Sequence, residues 1–186
     1  DPNIVNLRSM PQKTDDLLVP AIHSHVLSFE NVSHLSGELQ DQMCVMATGG
    51  GFSRRTLFTN GEESLFSLKR PIILNGITPL ISRPDLLDRS ILLELERIQE
   101  RKSRDHLGQS FLKERSLIFS GLLELLVRVL AELPGIEIPA EKRPRMIDFG
   151  LTGEALAKIK GHPAGYFLDL FRKNRMKGIQ RSIHES

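Results

Sequence analysis

An α/β protein, an open parallel sheet followed by a helical lobe, is the fold this sequence predicts, and two observations predict it. In residues 1–100, short apolar runs of strand length alternate with short helix-like stretches, the order that lays parallel strands side by side with helices crossing between them. In residues 101–186 these runs stop and apolar residues recur at helical spacing. The expected division is therefore a sheet-bearing part, residues 1–100, and a helical lobe, residues 101–186.

Composition sets the bounds. The chain has 186 residues, 40% hydrophobic and 26% charged, enough for one good-sized core. A net charge of +2 is too small to indicate nucleic-acid binding by itself. The single cysteine, Cys44, excludes a disulfide framework and a cysteine zinc site, and fits a reducing, cytoplasmic setting. It stands in the apolar stretch Met43–Ala47 and is expected to be buried. Asp1-Pro2-Asn3 lacks the basic start and apolar run of a secretion signal. Leu117–Leu133 is the most apolar stretch, but Glu124, Arg128 and Glu132 interrupt it four residues apart, so a helix in water is expected rather than a membrane span.

The elements follow in order. Asp1 to Leu7 opens as a turn running straight into a short apolar strand, Ile4–Leu7, and reads like a chain entered partway through a domain. Thr14-Asp15-Asp16 predicts a helix cap before Leu17–Ala21. His25–Asn31 predicts a buried strand ending in an acid and an amide. Ser33 or Ser36 is placed to cap the next helix, whose stripe is Leu35, Leu39, Met43 and Met46-Ala47. Gly49-Gly50-Gly51 ends it. Phe52–Leu68 predicts a hairpin with Asn60-Gly61 at its turn. Arg70–Gly76 is a second buried strand, Ser82–Asp88 a short helical link, and Ser90–Glu96 a third strand. Helices are then predicted over Phe111–Leu133, Arg145–Lys160 and Ala164–Met176, with Gly161-His162-Pro163 as a break and a basic tail of Arg172, Lys173, Arg175, Lys177 and Arg181.

Ligands in open parallel sheets bind beyond the carboxyl ends of the strands. Glu30-Asn31 and Asn75 fall at such ends, and Arg89 closes the link after the second strand. Each has a plainer reading when taken alone: the acid and amides as turn residues, Arg89 as a local partner of Asp85 or Asp88. Their joint order is the functional signal. His23, His25 and His34 with Asp15 and Asp16 lack the spacing of a complete metal-ligand set. Ser28 and Ser53 lack a nucleophile-elbow pattern.

Four stretches in order carry a resemblance: Leu27-Ser28-Phe29-Glu30-Asn31-Val32-Ser33, Ala47-Thr48-Gly49-Gly50-Gly51-Phe52-Ser53-Arg54-Arg55, Arg70-Pro71-Ile72-Ile73-Leu74-Asn75-Gly76-Ile77, and Arg83-Pro84-Asp85-Leu86-Leu87-Asp88-Arg89. Together they resemble the P-loop ATPases of phages and integrated elements, related to superfamily-three and poxvirus-type primase-helicases within the AAA+ group. The likeness covers Asp1 to Glu96; the helical half matches only loosely. It implies a P-loop sheet, ATP and Mg²⁺ as cofactors, DNA as partner and a homo-oligomeric ring. It implies further that Glu30 holds the Mg²⁺ water shell, a departure from the aspartate most relatives carry there. Asn31 falls where many ATPases have a catalytic glutamate, and an amide orients water but takes no proton. Asn75 becomes the sensor amide at the γ-phosphate. Arg89 becomes a finger for a neighbouring subunit's nucleotide, with Arg83 as the second candidate, and Arg54 and Arg55 face DNA from their hairpin.

No G-x-x-x-x-G-K-[ST] loop occurs in the chain. In relatives that loop precedes the stretch matching Asp1, so the resemblance implies a fragment, inactive alone. The strand feeding the loop is expected between the Ile72 strand and the Ser90–Glu96 strand. The alternative is a non-enzymatic module binding DNA or partner subunits through Arg54, Arg55 and the basic tail.

Overall fold

The computed structural model describes residues 7–55, 63–77 and 80–184. These fall in two compact units: residues up to Ile91 together with the segment from Arg175, and Leu92–Asn174.

In the first unit, α1 (Thr14–His23) leads into β1 (Leu27–Phe29). Helix α2 (Gly37–Thr48) follows, then a hairpin of β2 (Gly51–Arg55) and β3 (Glu63–Ser67), then β4 (Ile72–Leu74) and the single turn α3 (Pro84–Leu87). β1 and β4 form a parallel pair, Leu27 opposite Ile72 and Phe29 opposite Leu74. β2 and β3 are antiparallel and form a sheet of their own.

The described chain is thus helix-rich and mixed, with a small parallel sheet at the predicted place. The alternating burial of β1 explains its one-sided packing: Leu27 and Phe29 are buried, and join Leu17, Leu39, Met43 and Met46 from α1 and α2 in the core. Helix α2 starts where Ser36 Oγ accepts the Leu39 N–H at 3.3 Å, and ends at Gly49 with φ 85°, as its sequence signals predict.

Four expectations need correction or fall outside the description. Thr14 does not cap α1; it is the first helical residue, and Lys13 precedes it without a side-chain cap bond. Ser90–Glu96 is not a strand. It has no regular structure, and Leu93 and Leu95 are 81% and 92% exposed. Apolar alternation gives a segment a strand's face, but a strand exists only when another backbone takes its hydrogen bonds. Ile4–Asn6 and the Asn60-Gly61 turn lie outside the described residues. Beside the former, Arg8 bridges in parallel to Phe29: its N–H donates to the Ser28 carbonyl, and its carbonyl accepts from the Glu30 N–H, both at 3.0 Å.

The second unit is built on α4 (Arg104–Glu132), α5 (Ile147–Ile159) and the start of α6 (Tyr166–His184). Helix α4 starts seven residues before the predicted Phe111, because Ser103 Oγ accepts the His106 N–H at 3.2 Å and no proline intervenes. Its Leu107, Phe111, Ile118 and Leu122 recur at spacings of four and seven, yet all stay exposed; Val129 is its one buried residue among those described. Phe149 of α5 meets Phe167 and Phe171 of α6 edge-on, at centroid distances of 5.3 and 5.4 Å. No helix among the described residues is long and apolar enough to cross a membrane.

Two glycines predict opposite outcomes. A Cβ on Gly153 would sit 2.1 Å from the Phe167 ring, whereas one on Gly121, inside α4, would meet nothing within 4 Å. Gly153→Ala is expected to destabilise by roughly 1–3 kcal/mol through overpacking. Gly121→Ala is expected to stabilise by about 0.5–1 kcal/mol through backbone entropy. Urea denaturation of each variant, followed by circular dichroism, checks both signs.

Candidate functional site

The carboxyl end of the parallel pair gathers three of the predicted residues. Past Phe29, Glu30 is exposed and its N–H is held by Arg8. Asn31 then takes a left-handed conformation, φ 53°, which asparagine adopts more readily than most residues. That kink turns the chain so that the Val32 N–H donates to the Asn75 carbonyl at 3.0 Å, while the Asn75 N–H donates to Phe29 at 3.0 Å. Asn75 therefore stands beside Glu30 and Asn31 on one sheet edge, with the side chains of all three at the surface. Gly76 permits the approach: a Cβ there would lie 2.4 Å from the Val32 carbonyl oxygen.

The arginines sit elsewhere in the same unit. Arg83 is half-exposed and pairs with Asp41 of α2 at 2.9 Å. Arg89 is partly buried, and its Nη1 donates to the Asp85 backbone carbonyl at 2.6 Å. The local partner is thus a main-chain oxygen of Asp85 rather than its carboxylate. Nε of Arg89 is buried without a hydrogen-bond partner among the described residues. Asp88, the other acid of this link, is engaged by Arg175. Arg54 and Arg55 lie on β2 opposite Ser64 and Glu63, and their side chains fall outside the description.

A buried amide that the sequence reading missed ties these parts together. Gln40, 1% exposed, accepts from the N–H groups of Ser82 and Arg83, both at 3.0 Å. Its own amide donates to the Leu35 carbonyl and to Ser82 Oγ. It lies next to Leu39 on α2, where polarity gave no hint of burial. Nearby, Cys44 is buried as expected and its thiol donates to Asp85 Oδ2 at 3.3 Å. Burial pushes the thiol from 9.0 up to about 11, helped by that bond to the carboxylate. The same bond, more than nearby Arg83, holds the Asp85 carboxyl below its ordinary value.

Among the described residues no group of three or more His, Cys, Asp or Glu side chains is placed to hold a metal ion. A hollow of about 320 Å³ is lined by Arg8, Asp16, Val19 and Phe29. Arg8 flanks the edge of β1 away from β4, so this hollow is not the Asn75 edge.

The sequence model of one protein family matches residues 3–164; its description is actinomycete integrative conjugative element replication protein. No curated protein and no solved structure matches the chain.

Two predictions follow from the geometry. Gly76→Ala is expected to destabilise by roughly 1–3 kcal/mol, since the clash is with backbone, and Asn31→Val by about 1–2 kcal/mol, whereas Asn31→Gly should be tolerated; urea midpoints rank the three. The native Cys44 thiol stays protonated to about pH 11, while the unfolded one ionises from 9.0. Between those values the unfolded chain binds fewer protons, so stability falls as pH rises, having been fully present below the lower value. The loss is up to about 2–3 kcal/mol. Urea midpoints near about pH 8 and about pH 10.5 should therefore separate more for the wild type than for Cys44→Ala.

Proposed function

The chain belongs to the family of actinomycete integrative conjugative element replication proteins, and from that premise we propose that it forms part of an ATP-hydrolysing, helicase-like motor acting on the DNA of a mobile element. The supporting observation is the meeting of Glu30, Asn31 and Asn75 at the carboxyl end of a parallel pair, the place where open α/β sheets take ligands.

In this reading Glu30 holds part of the water shell of a Mg²⁺ ion. That ion sheds its waters reluctantly, so one exposed carboxylate at the edge suits it. Bound Mg-ATP supplies the phosphoanhydride whose hydrolysis drives movement. The amides of Asn75 and Asn31 orient the attacking water without taking its proton. Arg89, or Arg83 as second candidate, reaches the nucleotide of a neighbouring subunit in a homo-oligomeric ring, where a guanidinium stabilises charge on the transferred phosphoryl group. Arg89 makes one described side-chain bond and keeps Nε unpartnered, so presenting it requires little more than release from Asp85. Arg54 and Arg55 on the β2–β3 hairpin serve as DNA contacts. The 186 residues contain no phosphate-binding loop, so the site needs that loop in addition to them.

A second reading, a DNA-binding or oligomerisation module without catalysis, draws on α6, whose sequence carries Arg172, Lys173, Arg175, Lys177 and Arg181 against the single acid Asp169.

Calorimetry of the chain with Mg-ATP is expected to show no binding; tight binding would mean a phosphate site of another kind and would overturn the site described. In the motor with its phosphate loop, Arg89→Ala is expected to lower turnover by about 10³-fold or more while ATP is still bound. Unchanged turnover would remove Arg89 from the mechanism.

A further inference from the structure

The turn between α5 and α6 presents two aromatic rings to solvent. His162 and Tyr166 stack face to face, centroids 4.0 Å apart and planes 3° from parallel, and both residues are exposed. The second unit packs through Phe149, Phe167 and Phe171 instead, so this pair is not part of its aromatic cluster.

The pair is held firmly. Gly161 and Gly165, at φ 82° and 85°, bracket the turn. The His162 N–H donates to the Ala157 carbonyl at 2.9 Å, and the Tyr166 N–H to Pro163 at 3.2 Å. Beneath the turn, buried Glu154 accepts the N–H groups of Gly165 at 2.7 Å and Leu168 at 2.9 Å. The turn that carries the rings is therefore fixed before any ligand arrives, and less ordering is lost on binding.

Unpaired charge beside the rings is positive. Along α6, Tyr166, Leu170 and Lys173 follow at helical spacing and are exposed. Asp169 is taken up by Arg172 at 2.6 Å, while Lys173 pairs with no described residue. Lys160, just before the turn, is likewise exposed and unpaired among the described residues.

Exposed aromatic rings beside uncompensated lysines match single-stranded nucleic acid, whose unpaired bases stack on aromatics while its phosphates meet cations. A duplex hides its base faces, and an acidic peptide has none to offer. We infer that the His162–Tyr166 pair is a stacking platform for single-stranded nucleic acid, with Lys173 taking a phosphate beside it. The inference deepens the proposed work on DNA and rests on that reading, but not on the nucleotide site.

The test uses the whole chain. Tyr166 is its single tyrosine and there is no tryptophan, so tyrosine emission reports on this ring alone. Titration with an oligothymidylate of about 16 nucleotides should quench that emission. Anisotropy of a labelled oligonucleotide should show Tyr166→Phe binding like the wild type and Tyr166→Ala binding roughly 5- to 150-fold more weakly. Lys173→Ala should lower the slope of log affinity against log salt by about 0.7. Circular dichroism of each variant shows that α6 is kept. Oligouridylate in place of oligothymidylate tells whether the natural strand is DNA or RNA, and either one binding with quenching supports the platform. Binding without quenching, binding unchanged in Tyr166→Ala, or equal binding of an abasic strand overturns it and leaves a DNA role elsewhere in the chain standing. No binding of any strand overturns both the platform and this chain's role in holding DNA.

Discussion

The parallel pairing of β1 with β4 is the constraint on which the candidate site depends. Parallel neighbours cannot be joined by a tight turn, so the chain leaves β1, runs through α2 and the β2–β3 hairpin, and returns beside it. Helix α2 makes that return worthwhile by laying Leu39, Met43 and Met46 against Leu27 and Phe29. The ladder then continues past the strands: the left-handed turn at Asn31 and the missing side chain at Gly76 let Val32 bond to Asn75. Because backbone alone fixes this corner, the side chains of Glu30, Asn31 and Asn75 are left without a packing role. Gln40 extends the same framework from α2 to Ser82 and Arg83, so the arginine-bearing link is referenced to the helix that covers the sheet.

The sheet is packed on one side. Parallel strands ordinarily have both faces covered, yet Ile73, pointing opposite to Ile72 and Leu74, is 56% exposed. Among the described residues β4 pairs only with β1. The Ser90–Glu96 segment is an apolar run that pairs with no strand among the described residues. In the other unit α4 carries a broad apolar arc, far wider than the one buried residue needs.

What was legible in the sequence were features decided locally. Ser36 and Gly49 bound α2 because capping geometry is chosen by the residue itself. The two strands of the parallel pair, the break at Gly161-His162-Pro163 and the burial of Cys44 were equally local. Partnership was not. Nothing in Ser90–Glu96 says that it joins no strand among the described residues, and nothing in the Phe111–Leu133 period says that the helix reaches back to Arg104. The candidate residues Glu30, Asn31 and Asn75 were found because strand ends can be located, and their closeness in space follows from a register that only folding reveals. The hold of Arg89 on the Asp85 carbonyl could not be read from spacing, because the carboxylates of Asp85 and Asp88 were the obvious partners.

Gln40 and Glu154 show why buried polar residues are hard to foresee and why they matter. Both are nearly inaccessible, and both aim at backbone N–H groups of a segment that follows a loop. An apolar residue of the same volume would pack as well but would strand those N–H groups away from water, a penalty of about 1–3 kcal/mol for each. The two differ in charge for a physical reason. Glu154 takes N–H groups at the start of a long helix, where the aligned peptide dipoles favour an anion. Gln40 meets a carbonyl and a hydroxyl as well as two N–H groups, and only an amide both donates and accepts. Each residue therefore fixes a loop by hydrogen bonds whose geometry admits little else, and the two loops they fix are the ones presenting Arg83 and the His162–Tyr166 pair.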